Sequence, residues 1–149
     1  MKSYLNGLAT FFAMLFAADF AAAADEIAWH TDVAAAVADA EARELPILVY
    51  LTSSHCPYCV KMKSQTLAAP AVTTVVGERF VALSVSRGAA PELERRLNVR
   101  AYPTTVVLRP DQSEIGRVTG YVAATQLTTS LQRFEALHVA AKTATTTVK

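Results

Sequence analysis

Hydrophobic positions along this chain change period several times, and each change predicts an element. From Thr31 to Glu44, Val33, Ala36, Val37 and Ala40 recur at helical spacing, with Thr31 or Asp32 as N-cap and Pro46 expected to close the helix. The next run, Ile47-Leu48-Val49-Tyr50-Leu51, shows no polar alternation and is rich in β-formers, which predicts a central strand buried on both faces. Helical spacing returns through Val60, Met62, Lys63 and Leu67, with an interruption near Pro70 and a continuation towards Val76. Phe80 to Val85 reads as a strand, and Pro91 to Leu97 as a short helix with proline in its first turn. Thr104–Leu108 and Glu114–Thr119 form a hairpin pattern around a turn at Pro110 to Ser113. Leu127, Leu131, Phe134 and His138 share one face of a closing helix from Ala123 to Leu137. His138 is thereby expected at the end of that helix, as a packing residue and not a ligand. The polar run after Val139 predicts a frayed tail.

The segment before Asp25 follows a different rule. Lys2 gives a positive start, Leu8 to Ala18 is an apolar run, and Ala22 and Ala24 fit a small-x-small cleavage site, so residues 1–24 are expected to be an export signal. The run is shorter than the roughly 20 apolar residues of a spanning helix, and Asp19 interrupts its end. The expected organisation is therefore a signal at 1–24, one domain at 25–138 and a flexible tail at 139–149, in a periplasmic or secreted protein without stable membrane association.

Composition supports a single core-forming domain: 52% of the 149 residues are hydrophobic and 18% charged. With a net charge of +1 and scattered basic residues, the chain shows no electrostatic footprint for nucleic acid. A monomer is expected.

The two cysteines change the picture. Cys56 and Cys59 lie three residues apart and close almost no loop, so a disulfide between them would add little stability. On a helix the same spacing places both side chains on one face, at a Cα separation a disulfide tolerates. Cys56 is expected at the N-cap with Pro57 as the first helical residue. There, free N–H groups and the helix dipole favour a thiolate. Cys56 would attack a substrate disulfide, and Cys59, one turn further in, would resolve the mixed disulfide. The same spacing also serves metals. Zinc would need two more ligands from His30, His55 and His138, and no second cysteine pair is present. A copper-binding or copper-delivery module using His55, Cys56 and Cys59 stays open as the alternative.

This order of elements resembles the thioredoxin superfamily from about Trp29 to Leu131. It is most similar to secreted or periplasmic thioredoxin-like proteins related to the C-terminal domain of DsbD-type thiol-disulfide interchange proteins. The stretches that carry the resemblance are LPILVYLTSSHCPYCVKMK, the weaker TLAAPAV, and LNVRAYPTTVVLRPDQSEIGRVTGYV. The resemblance implies an α/β thioredoxin fold, a central mixed β-sheet flanked by helices on both faces. It also implies thiol-disulfide exchange with protein substrates, more as a reductase, supplied by an upstream redox partner and needing no cofactor beyond the Cys56–Cys59 disulfide. It further implies that Pro103 is a cis-proline facing the cysteines, with the Tyr102 backbone presented to an extended substrate and Thr104 following. Pro57 and Tyr58 complete the substrate-binding set. Two positions depart from the pattern. Tyr50 stands where thioredoxins usually bury an aspartate, and His55 where they commonly carry tryptophan. His55 is a candidate for tuning the Cys56 thiolate. Lys61 and Lys63 are expected to lie solvated. The CPYC tetrapeptide is itself typical of glutaredoxins, but Gly120-Tyr121 stands where those tend to show a Gly-Gly element.

Overall fold

A computed structural model describes residues 26–146. Its elements in chain order are β1 (Trp29–His30), α1 (Val33–Arg43), β2 (Ile47–Thr52), α2 (Pro57–Lys61), a π-helical stretch (Met62–Leu67), α3 (Pro70–Arg79), β3 (Val81–Ser86), α4 (Pro91–Arg96), β4 (Thr104–Leu108), β5 (Glu114–Thr119) and α5 (Ala124–Thr146). The strands form one mixed sheet in the order β1-β3-β2-β4-β5. β2 pairs parallel to β3 and antiparallel to β4, which makes it the central strand.

Because side chains alternate across a strand, β2 feeds two cores. Ile47, Val49 and Leu51 join Ala36 and Ala40 of α1 and Leu93 of α4 on one face of the sheet. Leu48 and Tyr50 join Met62, Val72, Val76, Leu127 and Leu131 on the other. Helices thus cover both faces, and an uninterrupted apolar strand is the pattern this burial requires. On the outer strand β5, a Cβ on Gly116 would overlap the Phe134 ring, so only glycine lets α5 settle on the sheet there.

The first helix closes ahead of Pro46, as expected: Glu44 adopts a left-handed conformation (φ 54°), and N–H groups of Glu44 and Leu45 bond back to Ala40. β1 has two residues, too few to leave a period in the sequence. The largest difference is at the C-terminus, where α5 does not fray after Val139 but continues to Thr146. His138 therefore lies within the helix and not at its end. Buried to 5% exposure, it sits with Nε2 3.2 Å from the Glu44 carbonyl oxygen, and Lys142 pairs with the Glu44 carboxylate. These contacts anchor a polar, threonine-rich segment whose own propensity is weak, and the Thr143 hydroxyl bonds back to helix carbonyls. The expected signal at 1–24 lies outside the described residues.

Candidate active site

The end of β2 delivers the chain through Thr52 to Ser54 into the cysteine pair. Cys56 is the N-cap of α2 in extended conformation, Pro57 occupies the first turn, and the Cys56 sulfur accepts a hydrogen bond from the Cys59 N–H at 3.1 Å. Proline fits because its missing N–H would have had no helical partner. The two cysteines form a disulfide with Cα atoms 5.2 Å apart. Cys56 is partly exposed whereas Cys59 is 3% exposed, so a substrate reaches one sulfur and not the other.

The Tyr102–Pro103 peptide is cis and lies against this pair. The Tyr102 carbonyl oxygen is 3.5 Å from Cys56 Sγ. In the disulfide that sulfur carries no proton, so the approach is a contact; reduction supplies a thiol proton that can be donated to the oxygen. The neighbouring carbonyls are engaged within the protein: Ala101 O accepts from the Thr104 hydroxyl, and Pro103 O from Gly120 N–H, each at 2.8 Å. Gly120 reaches that position with φ 86°, a conformation that favours glycine.

Tyr50, at the position of the expected buried acid, is 3% exposed and donates its hydroxyl to the Cys59 carbonyl at 2.9 Å. Burial holds its phenol above the ordinary pKa of 10.0, so it stays protonated at neutral pH and cannot accept a proton from Cys59. It ties the sheet to the cysteine helix instead. The Trp29 ring packs on Tyr50 with centroids 5.9 Å apart. His55 is exposed and its Nδ1 lies 3.0 Å from the Ser54 hydroxyl.

Tyr58 and Val60 are the most exposed large apolar side chains among the described residues, at 62% and 66%. Tyr58 neighbours Tyr121, and Lys61, expected to be solvated, extends its exposed ammonium over the Tyr121 ring at 4.3 Å. Behind them the Thr66 hydroxyl donates to Val122 O at 2.6 Å, joining the π-helical stretch to the chain ahead of α5. Sequence reasoning missed Tyr121 and Glu94, whose carboxylate accepts from the Tyr102 hydroxyl. An aromatic just after the hairpin and an acid in the first turn of α4 were the available signals. Among the described residues, no three His, Cys, Asp or Glu side chains are gathered in a metal-holding group.

A partly exposed cysteine at a helix N-cap, its buried partner one turn away and a cis-proline across from both define a dithiol-disulfide exchange centre. The chain belongs to the thioredoxin-like domain family, whose model matches residues 33–135. A thioredoxin from Thermus thermophilus is 34% identical, the match covering 72% of this chain and 86% of that one with a TM-score of 0.66. The DsbH oxidoreductase (18% identity, 89% of this chain and 96% of that one, TM-score 0.68) shares the fold. So does the oxidised C-terminal domain of Neisseria meningitidis DsbD (23%, 71% and 98%, TM-score 0.60). No curated protein matches the sequence. The protein is a thiol-disulfide oxidoreductase of thioredoxin-like fold.

Proposed function

We propose that the protein works outside the cytoplasm as a monomeric reductase of protein disulfides, recharged by an upstream dithiol donor. The Cys56 thiolate attacks one sulfur of the substrate disulfide, forming a mixed disulfide and releasing the other as a thiolate. Cys59 then loses its proton and attacks Cys56, releasing the second substrate thiolate and leaving the enzyme oxidised. With Tyr50 itself protonated, the substrate thiolate released in the first step takes up the Cys59 proton.

The observation that carries the reducing direction is the pair of groups facing Cys56 Sγ. One backbone N–H favours the thiolate, and one carbonyl oxygen opposes it. A strongly oxidising pair needs a heavily stabilised thiolate, whereas this balance leaves the reduced form less favoured and the disulfide the better product. His55 adds little to the thiolate side, since its ring is exposed and held beside Ser54. Export is supported by the pattern of residues 1–24, and no helix among the described residues is long and apolar enough to cross a membrane.

The test is the redox equilibrium of the purified protein with glutathione or dithiothreitol. A potential near the roughly −270 mV of reducing thioredoxins, with insulin reduction driven by dithiothreitol, is the expected result. A value near −120 mV would make it an oxidant. Absence of any turnover, together with stoichiometric copper in protein isolated without chelators, would instead favour the carrier reading.

A further inference from the structure

Glu94 lies on α4, apart from the cysteine helix, yet its carboxylate gathers three donors, one of them from the residue that faces Cys56. Oε2 accepts from the Tyr102 hydroxyl at 2.8 Å, and Oε1 from the Gly88 N–H at 2.8 Å and, more weakly, the Ala90 N–H at 3.4 Å. The β3–α4 turn and the segment entering the cis-proline are thereby joined through one half-buried side chain. Arg87, from the same turn, holds its guanidinium 5.8 Å from the Tyr102 ring centroid. Tyr102 in turn packs its ring on the core under α1 and α4.

Of the three consecutive carbonyls at Ala101, Tyr102 and Pro103, the outer two are engaged within the fold and the middle one faces Cys56. Backbone on both sides of Tyr102 is thus fixed by internal hydrogen bonds. The freedom left to this residue is in its side chain and the peptide it carries. A phenol hydrogen bonded to a carboxylate restrains that freedom more strongly than a neutral pair would.

We propose that Glu94 is a positioning residue for protein substrates: it latches Tyr102 so that an extended segment meets a preset backbone edge beside Cys56. The latch rests on the redox reading above and adds to it which side chain prepares the substrate edge. Binding an ordered edge spares the substrate complex the entropy of ordering it, so the benefit appears in KM and not in the chemistry at sulfur. A small disulfide that touches Cys56 alone gains nothing from it.

The test compares Glu94→Ala, Glu94→Gln, Tyr102→Phe and the Glu94→Ala/Tyr102→Phe double variant with the unaltered protein. Tyr102→Phe keeps the ring in the core and removes only the hydroxyl, so it stays informative if loss of the carboxylate loosens the turn. Expected is a rise of roughly tenfold in KM for insulin in Glu94→Ala and Tyr102→Phe, the equivalent of one charged hydrogen bond. In Glu94→Ala, kcat and the rate with the small aromatic disulfide DTNB should change by less than about twofold. The double variant should be no worse than either single one, because both remove the same bond. Glu94→Gln, whose amide oxygen still accepts, should fall between. Equal losses on insulin and DTNB, an unchanged KM in Tyr102→Phe, or additive effects would overturn the latch. Failure of the unaltered protein to reduce insulin would instead overturn the redox reading.

Discussion

The two ends of the sheet are built on opposite plans. At one end, where Leu51 pairs with Thr104, the cysteines, Tyr102 and Gly120 meet through backbone contacts, and the reactive sulfur sits at a shallow surface. At the other, where Ile47 pairs with Leu108, charged side chains surround a groove of about 690 Å³ lined by Glu44, Arg109, Asp111, His138 and Lys142. Neither cysteine lines that groove. The contrast teaches that thiol-disulfide exchange asks for an accessible sulfur and a backbone edge, not an enclosing pocket. The polar groove mainly fastens α5 to the end of α1.

The strongest way to break this contrast is at sulfur. Cys56→Ser is expected to abolish insulin reduction, while Cys59→Ser leaves the nucleophile stalled in mixed disulfides, visible on non-reducing gels and cleared by dithiothreitol. Turnover surviving in Cys56→Ser would place the chemistry elsewhere.

Next in size, Gly116→Ala drives a methyl into the Phe134 ring between the two ends, and overpacking of this kind costs about 1–3 kcal/mol. Urea unfolding followed by fluorescence of Trp29, the only tryptophan, should give one transition at lower denaturant. Two transitions would show that the ends do not share a cooperative unit.

Tyr50→Phe sharpens the account of the redox end. Loss of the bond to Cys59 O should cost about 1 kcal/mol. Since burial raises the folded-state pKa of Tyr50 above 10.0, its contribution is full below pH 10 and is lost as pH rises through the folded-state value. Stability curves of the variant should therefore fall less steeply on the alkaline side. A resolution step that changes its pH profile at neutral pH in this variant would assign Tyr50 a proton-transfer role instead.

The smallest effect is expected in the groove. Hydrogen bonds from Ser113 hold the Asp111 carboxyl below its ordinary value of 3.8, so its contribution is present above that pH and is lost as pH falls through the lower folded-state value. The group is largely exposed, and Asp111→Asn should change stability by a few tenths of a kcal/mol, flatten the acid limb slightly and leave insulin reduction unchanged. A marked loss of turnover would tie the groove to the redox site.

What the chain displays locally was legible. Five apolar residues before a cysteine pair with proline at the first helical position state both a buried strand and a helix N-terminus, since each depends on neighbours in sequence. The hairpin 104–119 was legible for the same reason. Less visible were features resting on how separate elements pack against one another. Tyr50 and Cys59 O are joined only because β2 and α2 are adjacent in space. Tyr102 and Glu94 meet because α4 turns the chain back. The threonine-rich end of α5 is helical beyond Val139 because His138 and Lys142 are held by Glu44, residues 94 and 98 positions away.

By itself, then, the sequence determined that Cys56 and Cys59 share a helix start behind a buried strand, because spacing, capping and apolar patterning are properties of contiguous residues. Tertiary structure alone decided that a carbonyl and an N–H oppose each other at Cys56, and that a phenol stands against Cys59. Those relations arise only when the cis-proline segment, the sheet and α2 are packed together, and they fix the local field on which thiol chemistry depends.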